Sequence, residues 1–261
     1  ARGELEHWFG TVYRDPRRAG TAGIYGTSEQ VREQLEALVS AGALAWQLLL
    51  MRWLAIAHWH PFAVMIISLA LLGHGASGTW LSLWLRGARQ GRLQRDFDAV
   101  FATCALLFAG SAVLTLIVAR AIPFNGLELV WNPRQLLWLA ALYVTLSVPF
   151  FFAAMCFGLA FARHGSRIPA LYGADLIGAA IGALAVLAAS AQPLHRGLIF
   201  AAVCGPIAAW LVARRVRLRA SAAIVAIALA MLWPMQALSP RPNQFKGLSK
   251  AMLLPGARVI A

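Results

Sequence analysis

Long apolar runs constrain this chain more than any other feature. They follow one another at residues 40–59, 62–85, 98–121, 135–162, 168–190, 196–213 and 219–236, with short polar connections between them. A helix needs about 20 apolar residues to cross the hydrocarbon core of a bilayer. Inside lipid the backbone amides must be satisfied within the segment itself, so runs of this length are read as helices. The expected fold is all-α, a polytopic transmembrane helical bundle of about seven spans. Composition agrees, because only 13% of residues are charged, and a soluble domain needs about 25% to cover its surface.

The net charge of +13 raises the question of nucleic acid. The distribution answers it. The arginines sit in short clusters between apolar runs, as in the loops of a polytopic protein, and form no basic face for a phosphate backbone. The expected partner is the lipid bilayer, with no nucleic acid. Arg86, Arg89, Arg92 and Arg95 follow the second run, Arg163 and Arg167 the fourth, and Arg214, Arg215, Arg217 and Arg219 the sixth. The alternate loops hold Arg120, Arg134 and Arg196. The positive-inside rule then puts the arginine-rich loops and the N-terminus in the cytoplasm, and the end of a seventh span outside. The expected location is the cell inner membrane, multi-pass.

Three regions follow from this reading. Residues 1–38 are polar, with one amphipathic helix opening at Thr27-Ser28-Glu29-Gln30 and continuing through Val31, Leu35, Leu38 and Val39. Ser28 or Thr27 can accept from the free first-turn amides, and Glu29 suits the positive end of the dipole. Residues 39–237 are the transmembrane domain. Its first run, which contains Arg52 and ends near His58, has the weakest case and is compatible with a tilted or re-entrant segment. Pro149 in the fourth run and Pro206 in the sixth are expected to kink their helices. Residues 238–261 read as a proline-punctuated linker and the start of a further domain.

Several motifs carry candidate chemistry. Gly73-His-Gly-Ala-Ser-Gly78 has the G-x-G-x-x-G spacing of a dinucleotide loop, but that mechanism needs a preceding strand. Within an apolar span the better reading of Gly73, Gly75 and Gly78 is a small-residue helix-packing face. Gly178 and Gly182 form a GxxxG pattern of the same kind. Asp175 is the only acid in the interior of any of these runs, Asp98 standing at the first position of the third, and Tyr172 lies on the same helix. Intramembrane ionisable residues are functional candidates by default. The candidate polar site is therefore Asp175, Tyr172, His74 and Arg52, with Arg52 the natural ion-pair partner of Asp175. His58, His60 and His74 lack metal-ligand spacing, and Cys104, Cys156 and Cys204 read as buried apolar thiols. No catalytic motif, cofactor site or metal site is assigned within this chain.

Two resemblances add to this. Residues 26–42, Gly26-Thr-Ser-Glu-Gln-Val-Arg-Glu-Gln-Leu-Glu-Ala-Leu-Val-Ser-Ala-Gly42, resemble the closing helix of luciferase-like flavin monooxygenases. They include no flavin site, and they leave open whether residues 1–38 belong with the membrane domain. The second resemblance covers most of residues 40–261. It rests on residues 42–52, 59–79 and 171–184, with Phe245-Lys-Gly-Leu-Ser-Lys250 and Leu254-Pro-Gly-Ala-Arg-Val259. These are similar to the membrane region of polytopic spermidine-synthase-like proteins, which carry a SAM-dependent methyltransferase fold. Gln47 stands where that pattern would have an acid. The resemblance implies a bundle that anchors or feeds a downstream transferase-like domain, which would use SAM or decarboxylated SAM. A carrier for a small cationic or polar solute is the alternative. A cytoplasmic cofactor sits uneasily with an outside C-terminus, and a six- or eight-span count would remove the conflict.

Overall fold

The computed structural model describes residues 28–57, 60–85, 89–163, 168–234 and 239–240. His58, Trp59, Thr27, Arg167 and the segment 241–261 lie outside the described residues, as do the side chains of His60, Arg86, Arg89, Arg92 and Arg95. The fold is an all-α bundle. Its helices are α1 (Ser28–Ala57), α2 (His60–Trp84), α3 (Arg89–Ala121), α4 (Arg134–Arg163), α5 (Ile168–Ala188), α6 (Leu194–Val212) and α7 (Val216–Leu232). Short 3-10 turns occupy Gly126–Val130 and Ala189–Ala191.

Among the described residues, six helices are long and apolar enough to cross a membrane. The seventh, α7, has 17 residues. It spans about 26 Å at 1.5 Å per residue, against a hydrocarbon core of about 30 Å. Its course nevertheless runs back alongside α6. The Ser239 hydroxyl lies 3.0 Å from His195 Nδ1, so the chain beyond α7 returns to the end where α6 began. Around the opposite end, Arg214 pairs with Asp98 at 2.9 Å and Arg215 with Asp96 at 3.2 Å. These bonds tie the α6–α7 connection to the first turns of α3, where Asp96 (φ −108, ψ 16) interrupts the helical backbone. Helices α4 and α6 run on through Pro149 and Pro206.

The run with the weakest sequence case forms the centre of the bundle. Trp46, Leu50, Trp53 and Leu54 of α1 are buried on all sides, packed by α2, α4, α5 and α6. The helix is also longer than the apolar run. It begins at Ser28 without a break, so the amphipathic segment and the first span are one continuous element. Leu35 and Val39 enter the core, and so does Glu36, which is 3% exposed. Asp175 is thus not the only acid within a span: the first span extends from Gln34 and includes Glu36, which is engaged with another group.

Glycines set how closely two helices approach. A Cβ on Gly178 or Gly182 would run into the backbone of Ala37 or Ala41, so α5 lies directly on α1 through the GxxxG face. A Cβ on Gly73 would come within 2.7 Å of Phe150 Cβ, which seats α2 on α4. Gly75 and Gly78 do not share that role. Among the described residues, nothing lies within 4 Å of a Cβ at either position. At 100° per residue they fall off the stripe of Ile66, Leu69, Ala70, Gly73, Ser77 and Leu81 that α2 buries.

Candidate functional site

A cleft of about 250 Å³ lies among four helices, and it collects most of the polar groups singled out from the sequence. Helix α1 supplies Ser40, Ala43, Leu44 and Gln47. Helix α4 supplies Phe150, Phe157 and Phe161. On the flanks stand His74 from α2 and Tyr172, Asp175 and Ala179 from α5. Spacing along each helix explains the convergence. Ser40, Leu44 and Gln47 are one turn apart on α1, as are Tyr172, Asp175 and Ala179 on α5.

The depth of the cleft is consistent from helix to helix. At 1.5 Å per residue, Asp175 is about 10 Å from the Ile168 end of α5. His74 is about 15 Å from the Trp84 end of α2, and Phe157 about 9 Å from the Arg163 end of α4. All three ends belong to the arginine-rich face. The cleft therefore occupies the half of the bundle next to that face.

Its polar groups are unevenly satisfied. The Ser40 hydroxyl donates to the backbone carbonyl of Asp175 at 2.9 Å. That bond leaves the Asp175 carboxylate untouched, and among the described residues it has no ion-pair or hydrogen-bond partner. His74 Nδ1 is 2.7 Å from the Ala70 carbonyl oxygen. A carbonyl can only accept, so Nδ1 is the donor in this contact and Nε2 is left facing away from it. The imidazole stacks on Phe157 with centroids 6.2 Å apart and planes 12° from parallel. A carboxylate, an imidazole, a phenol and a carboxamide thus border a space whose remaining walls are aromatic and aliphatic. Such a set can hold a cation: the carboxylate supplies charge and the ring faces supply quadrupole attraction.

Arg52 does not belong to this site. It sits about 18 Å farther along α1 than Ser40, is exposed, and reaches the Ser190 carbonyl oxygen at 3.4 Å. The parallel course of α1 and α5 carries the two residues to different depths, which rules out the ion pair with Asp175. Ser40 and the three phenylalanines were missing from the candidate site. A serine at the opening position of a run, as Ser40 is, and phenylalanines within a span carry no signal that separates a cleft from a core. Among the described residues, no cluster of histidine, cysteine or acidic side chains is arranged to hold a metal ion.

The fold defines a class: this is a multi-pass α-helical membrane protein with, in one half, a mainly apolar cleft bordered by a few polar groups. Set against known protein families, curated proteins and solved structures, the chain gives no match.

Proposed function

We propose that this chain is the membrane region of a spermidine-synthase-like protein and that its cleft binds a small molecule bearing a protonated amine. The observation that carries the reading is Asp175: a carboxylate without a described partner, in a cleft walled by Phe150, Phe157 and Phe161. A charge within a membrane span is costly unless it is paired or functional. The resemblance adds support of a second kind. Of the eleven residues lining the cleft, Ala43, Leu44, Gln47, His74, Tyr172, Asp175 and Ala179 fall in the three separate segments that carry it. The transfer chemistry, with SAM or decarboxylated SAM, belongs to the downstream transferase-like domain, and the inner membrane is the proposed location.

Equilibrium dialysis of labelled hexylamine and putrescine against the detergent-purified chain tests this. Saturable binding of at least one amine, weakened tenfold or more by Asp175→Asn, is the expected result. Binding of neither amine above the level of the variant rejects the reading.

The carrier reading rests on a different observation. The cleft lies toward the arginine-rich face, whereas the chain leaves α7 at the His195 end. An occupant passed to a domain beyond residue 239 would have to cross the bundle. Proteoliposome uptake of the same amines, compared with that of Asp175→Asn, separates carriage from simple binding.

A further inference from the structure

The walls of the cleft indicate how it is reached. Helix α5 rests on α1, and α2 rests on α4 and α1, but no substantial packing joins α2 to α5 among the described residues. The two helices stand as the sides of an opening whose floor is α1 and α4. His74 and Tyr172, at its edges, are exposed, Tyr172 to 55%. The outward surfaces on either side are mainly apolar, with Leu71, Leu72 and Trp80 on α2 and Leu176, Ile181 and Leu184 on α5, and the exposed hydroxyls of Thr79 and Ser82 are bonded within α2 itself. Surfaces of this kind in a membrane helix face acyl chains. The opening therefore faces the bilayer, in the leaflet next to the arginine-rich face.

We infer that the cleft is loaded sideways from that leaflet and that its occupant is a lipophilic amine, a single-chain amphiphile whose protonated amine meets Asp175 while its tail lies between α2 and α5. This rests on the reading of Asp175 as the counter-charge for an ammonium group. A bilayer-facing opening selects for molecules already partitioned into lipid, and a hydrophilic polyamine would have to shed water at several charges to reach it. Depth selects further. Asp175 lies about 10 Å below the helix end. An alkylammonium drawn to that level carries one charge, which the carboxylate neutralises. A phospholipid would drag its phosphate to the same level, with no described cation in the cleft to meet it.

The test uses the full chain in phosphatidylcholine nanodiscs doped with labelled dodecylamine, with labelled putrescine offered from water in parallel and empty nanodiscs subtracted. The expected result is saturable dodecylamine binding, reduced at least tenfold by Asp175→Asn and by Ala179→Phe, which narrows the opening. Putrescine should bind at least tenfold more weakly. Should either variant fail to fold, a dodecylamine analogue with a diazirine in its tail replaces it. Crosslinks in the wild-type chain are then expected on peptides from residues 64–84 and 168–188. Crosslinks confined elsewhere overturn the inference. Asp175-dependent putrescine binding without dodecylamine binding also overturns it, while the amine-binding function stands. Competition by phosphatidylethanolamine at equal mole fraction would replace the single-chain class with a phospholipid. Binding of no amine at all sinks both proposals.

Discussion

The Ser40 hydroxyl donates to the backbone carbonyl of Asp175 at 2.9 Å, across 135 positions of sequence. The bond fastens α5 to the central helix and takes nothing from the Asp175 carboxylate. Structure and candidate function therefore separate at one residue: its backbone holds the helix pair together, and its side chain borders the cleft. Ser40→Ala should lower stability by about 1 kcal/mol, the usual net worth of one such bond. Asp175→Asn should leave stability nearly unchanged and weaken amine binding at least tenfold. Thermal unfolding in detergent read beside amine binding checks both, and equal loss of stability in the two variants would contradict the separation.

The glycines of α2 and α5 make a sharper pair. Gly178→Leu places a side chain against the Ala37 backbone, which has no flexible end to move aside. It should cost at least the about 1–3 kcal/mol typical of overpacking and unseat α5. Gly75→Leu meets open space and should be neutral or slightly stabilising, since leucine is the better helix former. A comparable loss at both positions would mean that Gly75 packs against something outside the monomer.

Arg52 and Asp175 should behave independently. Arg52 is near the Ser190 end of the bundle, and Asp175 is in the opposite half. Arg52→Ala should change amine binding less than twofold, and the double variant with Asp175→Asn should match the single Asp175→Asn. A non-additive double-mutant cycle would show coupling that the geometry does not contain.

The course of α7 gives a topological prediction. Ser239 lies beside His195, whereas Arg214 and Arg215 pair with Asp98 and Asp96 at the other end. Single cysteines placed at 239 and at 217, in a chain whose native thiols are replaced by alanine, should label from opposite sides of the membrane with a membrane-impermeant maleimide. Labelling from one side would mean that α7 does not cross.

The exposed ion pairs at the arginine-rich end should matter little for stability. Side-chain exposures of 78% for Arg214 and 71% for Arg215 leave both charges well solvated. Alanine at either position should cost about 0–1 kcal/mol, and less in high salt. An unfolding temperature that falls steeply in either variant would assign these pairs a larger part in holding α3 to the α6–α7 turn.

By itself the sequence determined the helical membrane fold, because a 20-residue apolar run has few other ways to satisfy its backbone in lipid. It also marked Asp175, Tyr172 and His74 as out of place in such runs, and Gly178 and Gly182 as a packing face. Hydrophobicity, however, is read one segment at a time and carries no information about neighbours. It could not show that the run interrupted by Arg52 is the central helix, since burial by protein and burial by lipid demand the same side chains. Nor could it show that Gly73 packs while Gly75 faces outward, or that Arg52 and Asp175 lie at different depths. Only the tertiary structure decided these points. The parallel seating of α1 and α5 fixes relative depth, and the gap between α2 and α5 turns scattered polar residues into one cleft.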